Sequence, residues 1–274
     1  MSTQNNILHS MKRESQTALS ALRQWYDRVR LSLALVALTV LCWQIYSSFF
    51  NEIGDQYLPS PLTTLQQSYA HRYDLAEGLL YTGGSAMVGL VLAIIIGVLL
   101  GALLAESYYV RQGFLPAIVF AYALPAAVLA PVFVIWFGTG LPSVIAFATW
   151  ISFFTVFVNT VTGLTAVDEE FEQLGDLLGA SRLQMLWHVK LWVALPYIAS
   201  GIRVAVTLSV VGTIIAEFIA TGGGLGGQII QGLFGFELGW VFGVLATIML
   251  FSITLYKLAS AIITYATPTD DSLS

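Results

Sequence analysis

Hydrophobic and polar positions alternate along this chain on the scale of a membrane span, not of a helix turn or a strand. Leu31 to Phe50 carries no charged residue, matching the ~20 residues that cross a hydrocarbon layer as a helix. Gly78 to Ala105 is a second uncharged run, and Gln112 to Val167 is a third, too long for one helix. Phe137-Gly138-Thr139-Gly140-Leu141-Pro142 supplies a turn signal near its middle, so it predicts two spans, about 114–136 and about 142–163. A fifth span is expected over about 195–220 and a sixth from Leu238 to Tyr256. The pattern therefore predicts an all-α membrane protein with six transmembrane helices.

Polar segments divide the chain further. Residues 1–30 form an N-terminal segment, 31–50 the first span, 51–77 a polar stretch whose Pro59 and Pro61 favour extended chain, 78–265 a core of five spans, and 266–274 a tail. A cleaved signal peptide is the competing reading of the start. The first apolar run is too long for it, begins too late and lacks a small-x-small site, which favours a retained helix.

The longest polar interruption in the second half is about 164–194. Asp168 suits a helix N-cap, and Glu169, Glu170 and Glu172 place negative charge in the first turn, where the dipole favours it. Phe171, Leu174 and Leu178 form one apolar stripe. Gly179 suits a left-handed helix stop, and Ser181-Arg182-Leu183-Gln184 has the form of a capping box. Helix, glycine stop, helix makes an elbow between spans four and five.

Within the spans three features stand out. Ala93, Gly97, Gly101 and Ala105 repeat every four residues, a face for close helix packing. Pro116, Pro125 and Pro131 interrupt the third span; freed carbonyls need a neighbouring helix or a wet cavity, so it lines a pore or is kinked for packing. Glu217 is the acid within an apolar span. Its place near the helix end lets it reach water, so a solute or gating role stands beside a structural one. Tyr122, Pro125, Phe133, Thr207 and Glu217 are the candidate pathway or gate residues, chosen by position. Thr221 to Gly227 reads as a loop.

Composition sharpens the class. The 274 residues are 57% hydrophobic and 10% charged, with mean hydropathy +0.79, against roughly a quarter charged in soluble domains. Lys12, Arg13, Arg23, Arg28, Arg30, Arg111, Arg182, Lys190, Arg203 and Lys257 fall on one side of a six-span fold, and Arg72 on the other. The positive-inside rule then places both termini and the elbow in the cytoplasm. Net charge −5 without a Lys/Arg cluster argues against nucleic acid. Cys42 alone makes no intrachain disulfide, and His9, His71 and His188 lie in separate segments, so no metal site is expected. No G-x-x-x-x-G-K-[ST] occurs, so the chain builds no P-loop. Gly222, Gly224 and Gly227 satisfy G-x-G-x-x-G but follow a membrane helix, not the strand that dinucleotide binding requires.

The elbow resembles the cytoplasmic E-A-A-x-x-x-G-x₉-I-x-L-P motif of integral-membrane permease subunits of bacterial ABC importers. Aligned on Gly179, Gln173-Leu174-Gly175 stand at the E-A-A positions and Val189-Lys190-Leu191-Trp192 at I-x-L-P. Gly179-Ala180-Ser181-Arg182 match well; Gln173 and Trp192 depart from the motif, and Leu195-Pro196-Tyr197-Ile198 resembles the family's next segment. LPSPLTTL, APVFVIWFGTG, FFTVFVNTVTGL, ALPYIASGIRVA and GTIIAEFIATGGGLGGQI extend the resemblance from about Leu58 to Tyr265, toward the nitrate/sulfonate/taurine-type group. FVIWFGTG and VNTVTGL are also similar to permeases for thiamine-precursor pyrimidines.

The resemblance implies a type I ABC importer permease fold, multi-pass in the bacterial inner membrane. It implies two permease copies, two cytoplasmic P-loop ATPase subunits that bind ATP and Mg, and an extracytoplasmic solute-binding protein. The chain itself would be no enzyme and hold no cofactor. The elbow would be the coupling helix, with Phe171, Glu172, Gln173, Leu174, Asp176, Gly179, Ala180, Ser181 and Arg182 docking the ATPase. Gln173 cannot supply the motif's charge; Glu172 or Asp176 are the substitutes in reach. The substrate would be a small anion such as nitrate, a sulfonate or bicarbonate, or a small heterocycle. Two other classes remain open on the residues alone: an ion-coupled secondary transporter or channel using Glu217, and a scaffold that only recruits a cytoplasmic partner.

Overall fold

The computed structural model describes residues 30–31, 34–47, 49, 58–105, 113, 116, 120, 124–220 and 223–266. The chain divides into two units, residues 1–66 and 67–274. In the first lies the apolar helix α1, Ala34–Ser47, inside the first predicted span. Pro61 opens helix α2 (Pro61–Ala70), which runs across the boundary between the units. The expectation of extended chain through Pro61 is thus corrected: its fixed φ and missing N–H suit a first helical position, and Thr64 N–H bonds back to the Ser60 carbonyl at 2.9 Å.

The described residues of the second unit form helices joined by short turns: α3 (Arg72–Ala105), α4 (Ala126–Phe137), α5 (Leu141–Leu164), α6 (Glu169–Leu177), α7 (Arg182–Met185), a π-helical turn (Leu186–Lys190), α8 (Leu191–Ala220), α9 (Gly224–Phe234) and α10 (Leu238–Ala266). Among the described residues, four helices are long and apolar enough to cross a membrane: Arg72–Ala105, Leu141–Leu164, Arg182–Ala220 and Leu238–Tyr265. The shortest, at 24 residues, spans about 36 Å at 1.5 Å per residue, enough for a ~30 Å hydrocarbon core. Helices therefore stand where the pattern places spans two, four, five and six, and those of spans two and five are extended by polar turns at their starts. Most of 106–123 lies outside the described residues; α4 holds the end of the predicted third span.

Small residues set the packing. A methyl group on Gly89 would lie 2.8 Å from the Ala148 side chain, on Gly97 2.9 Å from Val156, and on Gly101 2.7 Å from Thr160. Both partners of each pair advance together along the chain, so α3 and α5 run parallel, with backbones too close for larger side chains. Ala93, Gly97 and Gly101 of the predicted small-residue face are buried there. Across α5 and α8 the pairs reverse: Gly163 meets Ala194, Gly201 meets Asn159 and Gly212 meets Ala148. Hence α8 is antiparallel to α5 and α3. Its contacts with α10 also reverse, from Ile202 near Ala259 to Ile214 near Val244. The C-terminal ends of α3, α5 and α10 therefore share one end of the bundle with the start of α8, and the elbow sits at that end. At the opposite end α4 packs on α5 and α8 through Ala130, Val144, Phe147 and Ala216.

Candidate functional site

The elbow owes its shape to backbone chemistry that the sequence announces. Helix α6 ends in a Schellman motif: Ala180 N–H bonds to the Gly175 carbonyl at 2.9 Å and Gly179 N–H to the Asp176 carbonyl at 3.1 Å. That motif needs a left-handed residue, and Gly179 has φ +68°. Ser181 then opens α7 with a full capping box: its Oγ accepts from Gln184 N–H at 3.3 Å, and its own N–H donates to Gln184 Oε1 at 2.8 Å. Gly175 is buried against the Met185 sulfur, which lets the two arms close on each other. Asp168 is the exception. It stands at the N-cap with extended backbone, but its side chain makes no cap bond, and the Phe171 N–H is taken by the Asp168 carbonyl instead.

One ion pair braces the elbow. Lys190 Nζ lies 2.8 Å from Glu172 Oε1. The π-helical turn inserts one residue's worth of extra backbone before α8, and Lys190 is its last residue. Glu172 is therefore engaged within the chain, and it lines an open notch of about 280 Å³ together with Asp176, Arg182, Met185 and Lys190. Around the notch, Phe171, Leu174, Leu177, Leu178, Leu183 and Trp187 are all exposed. Gln173, Gly179, Ser181 and Arg182 are exposed too, and Ala180 is half-buried. Six large apolar side chains on so short a polar segment form a patch that water does not favour. The sequence periodicity found Phe171, Leu174 and Leu178; Leu177, Leu183 and Trp187 fall outside any single stripe, because two short helices contribute them.

The candidate pathway residues scatter. Tyr122 lies outside the described residues. Pro125 is exposed at the start of α4. Phe133 packs edge-on against Phe147, ring centroids 5.3 Å apart, and beside Trp150 at 6.3 Å. Thr207 is exposed on α8, on one stripe with Val204 and Val211.

Glu217 departs most from expectation. It does not reach water: only 2% of it is exposed. Thr82 Oγ1 donates to the carboxylate, 2.8 Å from Oε1 and 3.1 Å from Oε2, and Gly226 N–H donates to Oε2 at 2.8 Å. Thr82 Oγ1 in turn accepts the Leu225 N–H at 2.8 Å. The expected loop over 221–227 is likewise corrected. Residues 221–222 lie outside the described residues, and from Gly224 the chain is already helix α9, with Gly224 and Gly227 buried. A glycine run signals a turn in water, yet here Gly226 lies where a side chain would strike Glu217.

Beside this junction, at the end of the bundle far from the elbow, a cavity of about 660 Å³ is lined by α3, α9 and the start of α10. His71, which donates to Asp74 Oδ2 at 3.1 Å, stacks 5.0 Å from Trp240 on its wall. Glu77, Glu237 and Gln228 also face it. Among the described residues no group of His, Cys, Asp and Glu forms a metal-holding cluster.

A parallel and antiparallel bundle closed by small residues, with an exposed amphipathic elbow at one end, is the arrangement of a membrane transport permease. The chain belongs to the family described as binding-protein-dependent transport system inner membrane component, matched over residues 93–269. It is a multi-pass inner-membrane permease of the ABC importer class. It is similar to the formylaminopyrimidine transport permease protein ThiX of Halalkalibacterium halodurans, 31% identical over 75% of this chain and 81% of the relative. It is also similar to the taurine transport system permease protein TauC of Escherichia coli, 30% identical over 81% of each. The bicarbonate transport system permease protein CmpB of Synechococcus elongatus is 26% identical over 75% of this chain and 77% of that protein.

Proposed function

We propose that two identical copies of this chain form the translocation pathway of an ATP-driven importer. Each copy crosses the inner membrane six times with both termini in the cytoplasm, and docks one of two P-loop ATPase subunits through its elbow. ATP and Mg are bound by those subunits, and a solute-binding protein delivers the solute on the other side. The parallel course of α3 and α5 supports the six-span reading: the chain must recross between them, and about 114–136 is the segment read as span three.

The exposed apolar patch of the elbow carries the proposal. It sits at the end of the bundle that gathers Arg182, Lys190, Arg203 and Lys257, the cytoplasmic end by the positive-inside rule. Phe171, Leu174, Leu177 and Trp187 supply area for a partner, and Asp176 supplies the charge that Gln173 lacks, Glu172 being taken by Lys190. The solute is a small anion of the nitrate, sulfonate or bicarbonate kind, or a small heterocycle.

Affinity purification of the tagged permease from its own membranes tests this. A stoichiometric P-loop ATPase in the eluate, and ATP-dependent solute uptake in proteoliposomes, are expected. Uptake driven by an ion gradient without ATP would overturn the reading.

A further inference from the structure

The cap of α9 is supplied from outside α9. A helix start leaves its first N–H groups unsatisfied, and a Ser, Thr, Asp or Asn at the N-cap usually takes them. Here the N-cap is Gly223, which has no side chain to offer. Thr82 on α3 takes the Leu225 N–H and Glu217 on α8 takes the Gly226 N–H, while Thr82 and Glu217 bond to each other. One buried carboxylate and one hydroxyl thus fasten three helices at a point. Gly224 and Gly226 leave the room: a side chain on either would collide with Glu217.

The junction lies at one end of a long lever. Arg182–Ala220 is continuous helix over 39 residues, about 58 Å at 1.5 Å per residue. The elbow is at its first turn and Glu217 in its last. On the far side of the junction, α9 forms a wall of the 660 Å³ cavity through Gln228, Gln231 and Gly232.

We infer that the Glu217–Thr82 junction is the coupling point that carries movement of the elbow, along α8, to α9 and the cavity wall. In this role Glu217 is a positioning residue: both its oxygens already accept bonds, from the Thr82 hydroxyl and the Gly226 N–H. The inference rests on the reading that a partner ATPase moves the elbow.

The test uses the permease–ATPase complex in proteoliposomes, in a Cys42→Ser background, with a fluorophore on Phe234→Cys at the exposed end of α9. Thr82→Val, Thr82→Ser and Glu217→Gln are compared for the ATP-induced change in label signal and for solute moved per ATP hydrolysed. Thr82→Val and Glu217→Gln are expected to lose the signal change and to lower solute per ATP about tenfold, while Thr82→Ser, which keeps the hydroxyl, retains both. A proton- or solute-binding Glu217 would instead leave Thr82→Val coupled, and that result overturns the inference. Should Glu217→Gln fail to insert, the Thr82 pair decides alone. A wild-type complex that hydrolyses ATP and transports without any change at α9 also overturns it and leaves the importer reading intact. Absence of any ATPase complex overturns the importer reading and the inference with it.

Discussion

At the scale of single residues, Gly179 and Asp176 separate shape from charge. Gly179 has positive φ, and nothing lies within 4 Å of where its side chain would stand. Substitution there acts through backbone conformation alone, costing about 1–2 kcal/mol for an ordinary residue and less for asparagine, which visits that region. ATP-driven uptake is therefore expected to fall in the order Gly179, Asn, Ala, Val, with membrane levels unchanged on immunoblots. An asparagine as inactive as valine would show that the surface, not the bend, matters. Asp176→Asn is expected to weaken ATPase binding, read by co-purification yield at rising salt, because the charge it removes faces outward. The Glu172–Lys190 pair is internal to the elbow and, with Glu172 half exposed, contributes no more than about 1 kcal/mol. Reversing both charges should restore what either single reversal loses, a double-mutant cycle read on uptake.

At the scale of elements, the legible and the illegible divide by what determines them. Spans two, four, five and six were readable because a membrane span is a length of uncharged sequence, and length survives any packing. The Ala93, Gly97, Gly101 face was readable because helix periodicity is local. The elbow's glycine stop and capping box were readable for the same reason, each being a bond among residues a few places apart. What could not be read depends on residues distant in the chain. Helix α9 looks like a loop because its caps, Thr82 and Glu217, come from other helices, and no spacing rule links positions so far apart. Glu217 looked able to reach water because depth along one helix says nothing of the helix that folds over it. The packing argument makes a further prediction. Gly97→Val places its side chain against Val156 and the Phe157 backbone, and overpacking of this kind costs about 1–3 kcal/mol. Its thermal midpoint in detergent should drop, whereas Gly84→Ala, inside the same helix with open space around it, should hold the midpoint or raise it slightly.

At the scale of the whole molecule, one face of α8 identifies what the single chain lacks. Val204, Thr207 and Val211 are exposed on one stripe of a helix whose other side is buried against α3, α5 and α10. Thr207 puts a hydroxyl on that stripe, which a wet pathway shared by two copies would use. The same helix holds the elbow at one end and Glu217 at the other, so a pathway along its exposed face would be widened or narrowed by any movement that the elbow imparts. Thr207→Cys in a Cys42→Ser background is therefore expected to cross-link two copies on mild oxidation in native membranes. Its yield should change when ATP is trapped on the partner subunits. A Val88→Cys control on the exposed side of α3 should not cross-link under either condition. Lipid exposure of α8 would instead leave Thr207→Cys reactive to apolar maleimides and unlinked with or without ATP, which would separate the pathway from this face.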